Sequence, residues 1–397
     1  MRAMVRSVHG RCTAGRAARA RRSTLRSTSC RLALLGAALV LGSCASAPPR
    51  PAPAGLQRAV WVTRWDWRTE DDIRAVIGRC AELGFTAVMF QVRGNGTALY
   101  RSDTEVWSEA FSFQDPGFDP LDVAADAATR AGVQLHAWIN VLPGWRGGAE
   151  PADPRQLWHA RPLWFLRDAG GEREPVGEQG YLGLNPCLPE VREYLAALCA
   201  EVARVPGVAG IHLDYVRLTS GDRAGGIDRF PADELTRTRF RIEKGLDADR
   251  HPAAFRQWKV DCVTRLVEEV RARLRAECSP TLLSAAVLAD PERALESGQD
   301  WRTWGRRGLV DAIVPMAYQE DDQRFKQLVQ RARAAAGRAA LIAGIGMFKH
   351  GDPLQTARQM EIARRAGAAG VALFSYGEMV KPEREDFMQE LRRWLRG

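Results

Sequence analysis

The sequence predicts a (β/α)8 TIM barrel with long loops after its second, third and fourth strands. Eight short apolar runs alternate with helix-like stretches from Arg58 onward. Most of these runs are continuously apolar, as strands covered on both faces must be. No GxGxxG fingerprint follows the first run, so the alternation points to a closed barrel in preference to a doubly wound sheet.

The strand-like runs are 59–65, 86–93, 134–140, 210–217, 282–289, 311–318, 341–348 and 370–376. The stretches between them carry helix punctuation. Gly closes several, as in Leu83-Gly84-Phe85, Ala131-Gly132-Val133 and Arg307-Gly308-Leu309, because Gly ends a helix at positive φ without steric cost. Pro opens others, as in Asp119-Pro120, Pro189-Glu190 and Asp352-Pro353. Connections are short in the second half of the chain, whereas 94–120, 141–188 and 218–252 are long. They follow strand ends, the face on which barrel enzymes place their chemistry, and so centre a cleft on the second to fourth strands.

Residues 1–43 read as a lipoprotein-type signal peptide: an arginine-rich start, an apolar stretch at 32–41, then Leu41-Gly42-Ser43-Cys44. That end resembles a lipobox, which implies cleavage before Cys44, lipidation of its thiol and a membrane anchor. Residues 44–57 follow as a Pro/Ala-rich linker, and 58–397 as one barrel domain. The formal charge of +9 does not indicate a nucleic-acid partner, because the leader holds nine Arg and no acid, leaving 48 basic against 48 acidic residues. After removal of the leader, Cys80, Cys187, Cys199, Cys262 and Cys278 remain beside Cys44, without CxxC or metal-like spacing. They read as buried free thiols.

The ends of the runs are polar and aromatic: Arg64, Trp65, Asp66 and Trp67; Gln91 and Arg93; His136, Trp138 and Asn140; Asp214, Tyr215 and Arg217; Tyr318, Gln319 and Glu320; Tyr376 and Glu378. All twelve Trp lie beyond the leader, and Trp107, Trp145, Trp158 and Trp164 fall in the long loops, which suits stacking on sugar rings. Glycoside hydrolysis needs two carboxyl groups, one protonated and one ionised. Asp214, at the end of Gly210-Ile211-His212-Leu213-Asp214, is the first candidate, and Asp290, just past the fifth run, is the provisional second, although an Asp before Pro291 equally suits a helix cap. Asp66, Glu105, Glu320 and Glu378 are the other carboxylates considered. His136, His212 and Asp214 could supply metal ligands, but His212 sits one layer below Asp214 by strand alternation, and no cofactor or metal is expected.

Colinear runs extend along most of the chain: Arg58-Ala59-Val60-Trp61-Val62, Phe90-Gln91-Val92-Arg93-Gly94, Glu105-Val106-Trp107-Ser108, Phe118-Asp119-Pro120-Leu121, His136-Ala137-Trp138-Ile139-Asn140, the Asp214 strand, Gln299-Asp300-Trp301 and Pro315-Met316-Ala317-Tyr318. In these the chain resembles glycosyl-hydrolase-like family ten. The resemblance implies a barrel lipoprotein of the bacterial envelope that cleaves peptidoglycan glycan stripped of its peptides, lipid-anchored at Cys44, on the periplasmic face of the outer membrane. It places Asp214 as the strand-four acid and Arg93, His136, Trp138, Asn140, Tyr215 and Arg217 on cleft motifs, and Tyr318 joins them as a substrate-binding candidate. Tyr215 stands where many relatives carry a second Asp. The alternatives are a glycan-binding lipoprotein without catalysis, and a hydrolase of another polysaccharide.

Overall fold

The computed structural model describes residue 53 and residues 55–175, 180–218, 226–278, 280–381 and 384–396. The expected leader, Cys44 and most of the linker lie outside the described residues. Ten strands are formed in chain order: β1 (Arg58–Val62), β2 (Ala87–Arg93), β3 (Gln134–Asn140), β4 (Pro143–Arg146), β5 (Tyr181–Gly183), β6 (Val208–Asp214), β7 (Leu282–Leu288), β8 (Ala312–Met316), β9 (Ala340–Gly346) and β10 (Gly370–Phe374). Eight of them close a parallel barrel in the order β1-β2-β3-β6-β7-β8-β9-β10. The expected (β/α)8 fold is the observed one, and β4 and β5 add a small antiparallel sheet within the third long loop.

Strand burial on both faces explains the apolar runs. Outward residues such as Val60, Phe90, Leu135, Ile211 and Leu341 join the large core beneath the surrounding helices. Inward residues form a separate packed cluster of Ala59, Trp61, Ala87, Met89, Trp138, Ala286, Val314 and Ile342. Alanines opposite Trp61 and Trp138 leave room for the indoles, the large-against-small filling that a closed barrel needs. The helices begin and end at the expected punctuation: Gly84, Gly132 and Gly308 are left-handed caps, and Pro120, Pro189 and Pro353 occupy first turns.

Several strands are shorter than their apolar or aromatic runs. The fourth run, expected to 217, leaves the sheet at Asp214, because Tyr215 takes a φ of 52° that no strand accommodates. This turn lifts Tyr215 and Arg217 out of the ladder and into the mouth. A third apolar cluster, which includes Cys187, Phe240, Phe255, Trp258 and Cys262, packs the segment between β6 and β7 against the end of the loop after β3. Cys80, Cys187, Cys199 and Cys262 are buried thiols and Cys278 is half-buried.

Candidate active site

At the C-terminal ends of the strands lies a cavity of about 280 Å³, lined by Trp61, Thr63, Arg64, Trp65, Gln91, Trp138, Asn140, Tyr181, Asp214, Tyr215, Arg217, Met316, Tyr318 and Phe374. Six of the sequence-predicted residues meet there: Trp138, Asn140, Asp214, Tyr215, Arg217 and Tyr318. Parallel register brings them together, since Asn140 pairs with Asp214 across β3 and β6, and Trp138 pairs with His212 one step below. A larger cavity, about 430 Å³, opens at the opposite end of the barrel beside Arg58 and Gly370, but its Glu361 and Arg364 are already bonded to each other.

Asp214 is 6% exposed, and burial raises its pKa above the ordinary carboxylate range. Three groups act against that shift: the Arg217 guanidinium 3.7 Å away, the Tyr215 backbone N–H donating at 2.6 Å, and the Trp138 indole. The indole N–H favours the carboxylate electrostatically without meeting hydrogen-bond geometry, and it has no other partner among the described residues. Desolvation outweighs them, and a raised carboxyl pKa is the direction that general-acid chemistry uses. It is also the one carboxylate among the described residues that line the cavity.

The walls are aromatic and cationic. Tyr181 meets the edge of Tyr215 at 5.2 Å, and the Arg217 guanidinium lies 4.3 Å from the Tyr215 ring centre. Tyr318 stacks on Phe374 at 5.6 Å. Burial, reinforced by Asp214, pushes the Tyr215 phenol up to about 12 and holds Tyr318 well above its usual value, so both remain neutral donors. Asn140 gives its amide N–H to Gly94 O at 3.1 Å, while its buried side-chain oxygen has no partner in the fold. A sugar hydroxyl would satisfy that acceptor.

Three expected site residues are placed elsewhere. Asp290 caps the helix Pro291–Glu296, accepting from the N–H groups of Glu292 and Arg293, and its other oxygen meets Arg331 at 2.9 Å. The helix-cap reading of Asp-Pro is therefore the correct one, and Asp290 is not the second carboxylate of this cavity. Arg93 is fully buried, bound to Glu105 through Nε and Nη2 and to the carbonyls of Asn140, Val141 and Pro143 through Nη1. It pins the start of the third loop and does not face a substrate. His136 is buried in the barrel interior below the cavity, where desolvation lowers its pKa to about 4.

His212 also lies in that interior, 0% exposed, with burial and His136 lowering its pKa to about 3. The Trp61 indole donates to its Nε2 at 3.0 Å, which makes Nδ1 the protonated nitrogen facing Ser284 Oγ at 2.9 Å. Both ring nitrogens are thus occupied. No group of three or more His, Cys, Asp or Glu suited to a metal gathers among the described residues. The other carboxylates considered have partners as well: Glu105 with Arg93 and Tyr194, Glu320 with Lys349, Glu378 with Lys381, and Asp66 with the N–H and hydroxyl of Thr63.

The tryptophans of the long loops pack within the protein: Trp145 on Phe113, Trp158 on Phe165 and Trp164 on Tyr194. The indoles of the cleft are instead Trp61, Trp65 and Trp138, and Trp65 is 48% exposed. Arg64 and Trp65 stood among the polar strand ends without being chosen. Tyr181 and Phe374 had no distinguishing signal, one in a long loop and the other inside an apolar run.

A parallel eight-stranded barrel with a buried carboxyl between aromatic walls at its strand ends has the architecture of the barrel glycoside hydrolases. The family model described as Glycosyl hydrolase-like 10 matches residues 57–348, and the chain belongs to that family. The glycosyl hydrolase DigH of Escherichia coli K12 is 25% identical over 382 residues, covering 81% of this chain and 83% of the relative. The glycosyl hydrolase YngK of Bacillus subtilis is 23% identical over 295 residues, covering 66% of this chain and 54% of the relative. Among solved structures, the glycoside hydrolase domain of PgaB (BpsB) from Bordetella bronchiseptica aligns with a TM-score of 0.58 at 17% identity, over 86% of this chain and 99% of that one. Alpha-L-fucosidase isoenzyme 2 from Paenibacillus thiaminolyticus aligns at 0.61 and 15% identity, over 86% of this chain and 49% of that one. At these identities the structural matches establish the fold.

Proposed function

We propose that the protein is a glycoside hydrolase of the bacterial envelope that cleaves peptide-free peptidoglycan glycan, anchored through a lipid on Cys44. The observation that carries the catalytic reading is Asp214, a buried carboxyl whose pKa burial raises, at the floor of an aromatic cleft. In this mechanism Asp214 gives its proton to the glycosidic oxygen as the C–O bond breaks, and the resulting carboxylate then takes a proton from the attacking water. Tyr215 and Tyr318 remain phenols and donate to the sugar, and Asn140 accepts from it. The glycan substrate and the envelope location rest on the family membership and on the Leu41-Gly42-Ser43-Cys44 leader end.

The second reading is a lipoprotein that holds glycan without cutting it. Its support is the same cavity, in which Asp214 has no second carboxylate beside it among the described residues. The test is reducing-end release and product mass from peptide-free glycan, with the protein beside its Asp214→Asn variant. Release by the parent and none by the variant is the expected result. Binding by the parent with no release would replace the hydrolase by the binding protein, and release only from a neutral polysaccharide would change the substrate.

A further inference from the structure

We propose that Arg64 and Arg146, which bracket Trp65 at the mouth of the cleft, form a subsite for a free carboxylate on the glycan, so that strands whose acids carry no peptide are selected. The inference rests on the glycan reading above and names what that cleft recognises.

Three observations carry it. The Arg64 side chain belongs to a residue only 2% exposed, and it is held in place by Nη2 donating to Tyr181 Oη at 3.2 Å and by the backbone N–H donating to Gln91 Oε1 at 3.1 Å. Its buried Nε has no hydrogen-bond partner among the described residues. A guanidinium withdrawn from water in this way needs an anion or an acceptor, and a carboxylate matches its fork.

Arg146 approaches the same indole. It lies on β4, paired with Tyr181 of β5, and its guanidinium carbon is 5.4 Å from the Trp65 ring centre, where that of Arg64 is 4.4 Å away. Two like charges drawn to one indole repel each other unless an anion joins them. Neither guanidinium meets a carboxylate among the described residues, whereas Arg331 alone meets two, Asp290 and Glu292.

The acid of the cleft does not serve as their counterion, since Asp214 lies beside Arg217. The mouth therefore combines a half-exposed indole face with two cations that lack an anion. In peptidoglycan the lactyl ether of every second sugar ends in a carboxyl group. With a stem peptide attached that carboxyl is an amide, neutral and bulky, and without it the carboxyl is a free anion. A sugar ring in the mouth beside the exposed edge of Trp65 would bring this anion within reach of the two guanidiniums.

The test compares two oligosaccharides of the peptide-free strand, one with its lactyl carboxyls free and one with them converted to methylamides. Calorimetry on the full chain in detergent is expected to show about tenfold tighter binding of the acid form, a preference that shrinks at high salt. Arg146→Gln is expected to lower the affinity for the acid form more than that for the amide, so that the preference shrinks. Equal affinity of the parent for both forms would overturn the subsite, as would an undiminished preference in Arg146→Gln. Reducing-end release is followed on the same samples. Acid-selective binding without release removes the hydrolase reading and keeps the subsite, and release without selectivity does the reverse.

Discussion

Replacing Glu105 by Gln separates two roles for Arg93, a support for the third loop or a substrate contact. Both side chains of the pair are essentially inaccessible, at 0% and 1% exposure, with the closest approach at 2.7 Å. Burial opposes the charge on Arg93, but Glu105 outweighs it and Arg93 stays a cation. Glu105→Gln keeps the shape, removes the anion and leaves a buried cation without its partner, a loss of about 3–5 kcal/mol. Glu105 also accepts from Tyr194 Oη at 2.9 Å, and that bond survives in the amide. Against a total stability of roughly 5–15 kcal/mol the variant folds at low temperature but is strongly weakened. With a urea dependence of about 3 kcal/mol per molar, the unfolding midpoint drops by about 1 M or more. Reversible urea unfolding followed by tryptophan fluorescence measures this. A midpoint within about 0.3 M of the parent, accompanied by a raised KM for glycan, would refute the argument and return Arg93 to the substrate.

The remaining predictions concern the cleft and the layer beneath it. Because burial raises the Asp214 pKa, its favourable contribution is full below the ordinary value of 3.8 and is lost as pH rises through the folded value. Asp214→Asn should therefore gain in Tm relative to the parent as pH increases from acid to neutral, and a gain that shrinks with pH contradicts the assignment. His212, lowered to about 3 from 6.5, favours the fold above pH 6.5 and loses that contribution as pH falls towards 3, at about 1.4 kcal/mol per pH unit. His212→Leu should lose about 1–3 kcal/mol near neutrality through the orphaned Trp61 N–H, and should show a shallower acid slope than the parent in denaturant titrations. Gly94→Ala places a methyl 2.3 Å from Arg64 Nη1. Moving that guanidinium should raise KM several-fold while costing about 1–3 kcal/mol of stability, and an unchanged KM would show that Arg64 does not touch the glycan.

The barrel was legible because strands buried on both faces are mostly apolar: all seven residues of β2 are buried, and five of them are apolar. The same property blurred the strand ends, since cleft aromatics continue the pattern after the ladder stops, as at Tyr215. The β4 strand, Pro-Gly-Trp-Arg, was illegible because Pro and Gly erase any strand signal in four residues. Asp214 could be found because it is the one acid of a largely apolar strand and stands at its end. Arg93 could not be distinguished from a cleft residue, because its partner Glu105 lies twelve positions away in a loop and no local pattern marks the pair. Asp290 carried two meanings in sequence, and the Arg331 and backbone bonds decide between them.

The chain enters the barrel at Arg58, at the opposite end of the strands from Asp214. The chain therefore joins the barrel at its floor, and the loops after β2, β3 and β6 rise at the other end, around Asp214. A long polymer crossing that mouth meets those loops and not the junction at Arg58.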